Sequence, residues 1–415
     1  MASLPLSLLL FLSILTLLTA TKPEDEYTWP QSRLPLLRYK RTIQLDSSSF
    51  TAKSQAERHG VCGIECQRGL PQPSLQDLEQ MLSYETMYSN GTRTLTTISL
   101  QLNAVLNSSP SNVSSTSRRK REVYGPDTRF TISDKQYSLK YPFSTSVKIS
   151  TGCSGVLVSP KHVLTAAHCI HDGADYLQGA QKLSVGVLRK GRKGKGRGKG
   201  GGKRRRGKDK VQEQEDDDGK QEKGKKGEKK STKGRKSRSK RSVKTNGTSF
   251  RWTRVKQTQV PKGWFKSVSD NTTADFDYAI LELKRAQKSR YMELGIVPSV
   301  RKLPAGRVHF SGFDDDRPGD LVYRFCSVSE ESKDLLYQHC DAQPGSSGAG
   351  VYVRLKEPGQ TRSWIRKVIG VFSGHQWVNI NGQQQDYNVA VRITPLKFAQ
   401  ICHWVYGDSA RCQNV

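Results

Sequence analysis

Between residues 190 and 249 this 415-residue chain offers only Val211 and Val243 as aliphatic side chains larger than alanine. The stretch 189–249 carries 13 of the 36 glycines, and residues 189–244 hold 26 Lys and Arg against 8 Asp and Glu. Such a segment buries too little apolar surface to offset the entropy of ordering it, so 189–249 is expected to be a disordered insert. Any core must therefore be assembled from the residues on either side of it. Without the insert and the first 121 residues, 233 remain, enough for one compact unit or two small barrels. From Tyr124 onward these flanks are short β-branched runs between turn residues, among them YSLKYPFSTSVKIS, KLSVGVL, RWTRVKQTQV, YAILEL, RVHFSGF and KVIGVFSG. Many short strands with little helix predict an all-β fold of antiparallel barrels or sandwiches. One helix is expected near the end, where PLKFAQICHWVY places Phe398, Ile401, Cys402 and Val405 on one face.

Residues 1–20, MASLPLSLLLFLSILTLLTA, are almost wholly apolar, end in a small residue and are followed at once by polar TKPEDE. They are read as a secretory signal peptide whose only n-region charge is the α-amino group. The run is short for a membrane span, and no later stretch is expected to cross a bilayer. Secretion places the eight cysteines, Cys62, Cys66, Cys153, Cys169, Cys326, Cys340, Cys402 and Cys412, in an oxidising compartment. With no CxxC pair, no metal site is expected, and nothing in the sequence calls for a cofactor. Asn90, Asn107, Asn112, Asn246 and Asn271 each head an N-x-S/T sequon and are candidate glycan sites.

Within residues 21–121, LPQPSLQDLEQMLSYETMY predicts one short helix with Ser74 as its cap. A Ser-rich linker, NSSPSNVSSTS, then leads into RRKR, Arg118 to Arg121. A dense basic cluster in an exposed linker suits a processing protease with an acidic cleft, although a plain solvated charge run would look the same. On the first reading 21–121 is a pro-region, cleavage follows Arg121, and Glu122 begins the mature domain, 122–415. A second such cluster, RSKR, ends at Arg241.

The formal net charge is +30, and residues 189–244 contribute 18 of it. In an intracellular protein KRRR and RKSRSKR would suggest nucleic acid, which the signal peptide argues against. Outside the cell the abundant polyanions are sulfated glycosaminoglycans. The insert is expected to bind them by counterion release, with strong salt dependence, or else to be a solvated spacer.

The most specific motif is VLTAAHC, Val163 to Cys169. His168 follows a strand and has small neighbours, which leave room for a nucleophile to reach its imidazole. The adjacent Cys169 can clamp the loop, and Cys153, 16 positions earlier, is its natural partner. A lone histidine is usually structural, but this context points to a general base.

Together VLTAAHCIHDG, DFDYAILEL, VYRFC, QHCDAQPGSSGAGVYV, VFSGHQWV and VAVRITPLKFAQIC resemble trypsin/chymotrypsin-type serine proteases, particularly the secreted vertebrate branch numbered 23 and 35. The resemblance implies two six-stranded antiparallel β-barrels, a cleft between them and protein substrates. It also implies the chain order His, Asp, Ser, carried here by His168, Asp277 and Ser347. Asp277 opens an apolar strand, which suits a buried carboxylate that orients His168. Asp275, two residues earlier, is expected to be a solvated loop residue. The family frame Gly-x-Ser-Gly matches Gly345-Ser346-Ser347-Gly348, with backbone N–H groups of Gly345 and Ser347 facing an oxyanion. In some relatives of the branch the nucleophile position is threonine, and those are described as inactive; here it is serine.

The chain also departs from the family. Trypsin-like enzymes carry an aspartate before the nucleophile that pairs with the new α-amino group after activation. Ser346 stands there, and the proposed new terminus is glutamate. The GSSGAGV segment resembles the bacterial glutamyl-endopeptidase branch, which lacks that aspartate too. For substrate recognition, Asp341 lies six residues before Ser347, where a carboxylate selects Arg or Lys, but it could equally be a structural hydrogen-bonding residue. Ser373-Gly374-His375 resembles the strand that pairs with substrate backbone, and His375 would favour an acidic side chain. Family spacing implies Cys153–Cys169 and Cys326–Cys340, while Cys402–Cys412 follows only from nearness in sequence. Cys62 and Cys66 pair with each other or tether the N-terminal region. Two functions stand: a secreted serine endopeptidase made as a zymogen, or a catalytically weak homologue that binds extracellular glycosaminoglycan or matrix.

Overall fold

The β-branched runs become strands, which in chain order are β1 (Leu36–Leu45), β2 (Tyr84–Tyr88), β3 (Arg93–Gln101), β4 (Phe130–Ile132), β5 (Ser146–Ile149), β6 (Ser154–Leu157), β7 (His162–Thr165), β8 (Ser184–Arg189), β9 (Ser249–Pro261), β10 (Ala279–Leu283), β11 (Glu293–Leu294), β12 (Arg307–Gly312), β13 (Leu321–Glu331), β14 (Leu335–Gln338), β15 (Gly350–Lys356), β16 (Trp364–Ile380) and β17 (Gln383–Arg392). This computed structural model describes residues 34–46, 50–53, 71–101, 126–189, 249–265, 273–303, 306–356, 364–380 and 382–412. The signal-like residues 1–20, Cys62, Cys66, Arg121, Glu122, Arg241, the insert between Arg189 and Ser249, and the sequons at Asn107, Asn112, Asn246 and Asn271 lie outside them.

Strands β5 to β10 form a closed antiparallel barrel in the order β9-β10-β7-β6-β5-β8, with β8 returning to β9. The insert leaves at the end of β8 and returns at the start of β9, where Arg189 pairs with Ser249 and Leu188 with Phe250. Loop-closure entropy rises only slowly with length, so a very long loop still permits that pairing. In the second sheet β16-β15-β12-β13-β14-β17 also closes, through β16 against β17, with β4 and β11 added at its margins. The two-barrel expectation therefore holds. The final helix, α2, runs Pro395–Tyr406, following α1 described below. Pro395 sits in its first turn, Thr394 caps it, and Gly407 ends it at φ +76°. It buries Phe398, Ile401 and Cys402 as expected, with Trp404 rather than Val405 completing the face.

Residues 36–46 and 71–101 fold onto the first barrel. The expected helix, α1, spans Leu75–Leu82, and the Ser74 hydroxyl and the Asp77 carboxylate cap each other's backbone N–H groups. After it β2 and β3 pair as a hairpin, β1 adds to β3, and β2 pairs with β9 from Tyr84 opposite Pro261 to Tyr88 opposite Gln257. Leu37, Leu82, Tyr84, Met87, Ile98 and Leu100 are buried in the same cluster as the barrel and α2 residues. The Tyr84 ring meets Trp404 edge-on, with centroids 5.4 Å apart. Leu37 N–H donates to Ser409 Oγ at 3.0 Å, and Gln400 Nε2 donates to the Leu82 carbonyl. Each such buried apolar side chain contributes roughly 1.5–3 kcal/mol, so this region is bound as an integral layer. Cutting the chain anywhere in residues 102–125 is therefore expected to leave 34–101 attached. Native gel filtration should show both fragments co-eluting under reducing conditions and separating only in denaturant; separation without denaturant would refute it.

Candidate active site

His168 lies in a single 3-10 turn, Ala167–Cys169, directly after β7. Ala166 and Ala167 are fully buried, which holds that turn against the barrel and leaves the imidazole at its rim. The ring Nδ1 lies 2.7 Å from Asp277 Oδ2, and the His168 backbone N–H donates to Oδ1 at 2.8 Å. Asp277 is itself buried, between the 3-10 turn Thr273–Phe276 and β10. Ser373 Oγ donates to the same Oδ2 at 2.5 Å. The carboxylate thus receives the imidazole edge, a backbone amide and a hydroxyl, an arrangement suited to fixing the ring. Besides lying on the strand expected to pair with substrate backbone, Ser373 steadies the acid through its side chain. Asp275 is a correction. It is buried rather than solvated, because the 3-10 turn tucks it inward, and burial together with the nearby Asp334 charge pushes its carboxyl up to about 7.

Ser347 stands in a turn between Gly345 at φ +95° and Gly348 at φ +82°. A Cβ on Gly348 would lie 2.2 Å from Thr165 Oγ1 and 2.4 Å from the Ser154 carbonyl oxygen, so only glycine fits that contact. Among the described residues, neither Gly345 N–H nor Ser347 N–H donates to a protein acceptor. Ser346 is fully buried and its hydroxyl donates to the Gln343 carbonyl at 2.6 Å, so it faces away from the cleft. The Cys169 sulfur lies 3.8 Å from His168 Nε2 and 3.8 Å from the Ser347 carbonyl oxygen, so the two residues face each other across the disulfide. No hydrogen bond joins the Ser347 hydroxyl to His168 among the described contacts. Among the described residues three bridges are present, Cys153–Cys169, Cys326–Cys340 and Cys402–Cys412. Donor atoms of Cys153, His168 and Cys169 cluster within 4.8 Å, but two are disulfide sulfurs and offer no thiolate for a metal.

Two of the residues expected to recognise substrate, Asp341 and His375, are engaged by other parts of the domain. Asp341 is buried, and its Oδ2 accepts from Thr128 N–H and Thr128 Oγ1, each at 2.7 Å. His375 Nε2 pairs with Asp386 Oδ1 across the β16–β17 hairpin. Asn388, opposite His375, donates to the Cys340 carbonyl at 2.6 Å. Gly374 sits at φ +145° beside open space. Asn90 is exposed in the β2–β3 turn, as a glycan acceptor should be.

Residues 132–218 match the family described as Trypsin. Over 98% of its length the chain is 57% identical to Inactive serine protease 35 of Bos taurus, covering 98% of that protein. It is 54% identical to the Rattus norvegicus protein of that name, again with 98% of each covered. The chain belongs to the trypsin-like serine protease family. It is also 46% identical to Serine protease 23 of Bos taurus, over 99% of this chain and 98% of that one. A solved structure titled "Structure of Glu endopeptidase in complex with MPD" covers 68% of this chain and 98% of its own, at 16% identity and a TM-score of 0.43.

In this trypsin-like chain internal charges fasten the segment where a new terminus would act. Arg129 Nη1 reaches Asp314 Oδ2 at 2.8 Å and Nη2 reaches Asp316 Oδ2 at 2.8 Å and Asp127 Oδ2 at 2.9 Å. Arg317 adds a contact to Asp127 at 2.6 Å, and buried Arg324 also pairs with Asp314. The loop carrying these aspartates supports the serine turn: Asp315 N–H donates to the Pro344 carbonyl at 2.8 Å, and a Cβ on Gly345 would strike the Phe313 carbonyl at 2.4 Å. Sequence reasoning missed this network, because single Arg and Asp residues carry no motif. Hydrogen bonds from Arg129 hold the Asp127 carboxyl at about 2 and also lower Asp316. A depressed carboxylate pKa contributes stability above the unfolded value near 3.8 that is lost as pH falls toward 2. The melting temperature should therefore fall between pH 4 and pH 2 more steeply in the natural chain than in Asp127→Asn; parallel slopes would refute this contribution.

Proposed function

We propose that this protein is a secreted trypsin-fold homologue of weak or absent peptidase activity that acts outside the cell by binding sulfated polyanions. The observation that carries this reading is the engagement of Asp341 with Thr128, His375 with Asp386 and Asn388 with the Cys340 carbonyl. Asp341 and His375, which would select a substrate side chain, are held by Thr128 and Asp386, and releasing them would leave buried polar atoms unpaired. The relatives at 54–57% identity bear the word Inactive in their names, which supports the same ranking. The basic insert supplies the binding function, its surplus of 18 positive charges drawing in glycosaminoglycan by counterion release. Residues 1–20 direct secretion, and no helix among the described residues is long and apolar enough to cross a membrane. A processing protease cutting after Arg121, and a second cut after Arg241, would leave the domain assembled.

A second reading, a serine endopeptidase of the family's usual mechanism, is favoured by the His168–Asp277–Ser373 chain and by the free N–H groups of Gly345 and Ser347. In it His168 takes the Ser347 proton as the hydroxyl attacks a peptide carbonyl, Asp277 stabilises the imidazolium, and the two amides hold the oxyanion. Resting geometry often tightens only with substrate, so a long approach of Ser347 to His168 does not exclude it.

On the favoured reading, a fluorophosphonate probe applied after confirmed cleavage at Arg121 labels Ser347 slowly or not at all. Rapid labelling that vanishes in Ser347→Ala would reverse the ranking of the two functions. Separately, deleting residues 189–244 should lower the salt needed to elute the protein from heparin, and an unchanged elution would remove the insert from the binding role.

A further inference from the structure

A second basic feature lies on the folded domain, apart from the serine turn. The sequence KRAQKSR, residues 284–290, follows β10 and places four cations in seven positions. Lys288 and Arg290 from it, with Lys140 and Tyr141 from the segment before β5, line a cavity of about 380 Å³. Ser144 and Ser289 add two hydroxyls to its wall. All three cations are exposed, and among the described residues none makes an ion pair. Arg290 and Arg366 each face the Tyr141 ring, with guanidinium carbons 5.9 and 5.7 Å from its centroid. Tyr141 OH in turn donates to the Arg366 carbonyl at 3.4 Å. Stacking on a held ring pre-orders the Arg290 fork, so less entropy is lost when it grips an anion. Lys140 borders the exposed Tyr137 ring at 6.0 Å, which adds an apolar face beside the charges.

We propose that this cavity is a sulfated-saccharide site: Lys140, Lys288 and Arg290 take the sulfate groups, Ser144 and Ser289 bond the sugar hydroxyls, and Tyr137 and Tyr141 offer rings. The volume lies at the small end of the roughly 300–1,000 Å³ typical of ligand cavities, so it takes one or two sugar units rather than a chain. Unpaired cations at a concave surface concentrate field on a small anion, whereas a loose basic tail only counts charges. Leu188, the residue before the last of β8, also lines the cavity. The proposal rests on the reading that the protein meets sulfated polyanions. It adds a defined saccharide site to the insert's diffuse attraction.

The test uses the full chain and sucrose octasulfate in calorimetry at roughly physiological salt, where a Debye length of about 8 Å damps diffuse attraction. The natural chain should show one saturable site per molecule. The triple variant K140S/K288S/R290S should bind at least about tenfold more weakly, the scale expected for losing three charge-assisted contacts, while its melting temperature is kept. Because these side chains are exposed, a folding failure would show in that melting control. In that case K288S alone, with a smaller loss, serves in its place. Equal affinity of natural and variant chains would overturn the proposal, as would binding abolished by neutralising the insert alone. Loss of the octasulfate site with heparin retention preserved would separate this site from the insert. Loss of heparin retention on insert deletion, with the octasulfate site preserved, would uphold both.

Discussion

Ser154, the first residue of β6, fastens the two barrels together. Its N–H donates to the Ser347 carbonyl at 2.8 Å, its hydroxyl donates to the Gly345 carbonyl at 2.7 Å, and the same hydroxyl accepts from Phe313 N–H at 2.8 Å. Its own carbonyl accepts from Thr165 Oγ1 at 2.8 Å, on the strand that leads to His168. One fully buried residue thus links the histidine strand, the serine turn and the loop behind it. Buried polar groups left unpaired cost about 1–3 kcal/mol each, so these bonds hold as a set. Gly348 is required by the same fastening, since a Cβ there would collide with it, and a Cβ at Gly312 would press the Ser154 hydroxyl at 3.0 Å.

Around that fastening the charge network from Arg129 to Asp314 and Asp316 keeps the start of the domain against the loop behind the serine turn. In trypsin-like enzymes a newly freed amine performs a comparable task. Here guanidinium and carboxylate groups are in place without one, which fits Ser346 standing where the aspartate would be. The first barrel is likewise thickened by β1 to β3 and α1, whose core is shared with α2. A protein built this way is stable with its site formed, whether or not the site turns over substrate.

Much of this was legible in the sequence where chemistry is carried by short runs. VLTAAHC, the Gly345–Gly348 frame and the acid before YAILEL each combine a reactive residue with the small or apolar neighbours its position demands, and the structure joins His168 to Asp277. Ser74 announced α1, and nearness along the chain sufficed for Cys402–Cys412. Asp275 was misplaced because a strand pattern says nothing about the 3-10 turn that buries it. The bond from Ser373 to Asp277 went unread, because it spans 96 positions and has no local signature.

The sequence by itself determined that the core must be built from strands on both sides of a segment unable to bury anything, and which residue types stand ready for proton transfer. Both are matters of local composition and side-chain chemistry. Only the tertiary structure decided that β1 to β3 belong to the first barrel, that Asp341, His375 and Asn388 are occupied by partners, and that Lys140, Lys288 and Arg290 converge on one cavity. Each of those outcomes depends on which distant backbone segments pair, and pairing is governed by the register of whole sheets rather than by any residue's immediate neighbours.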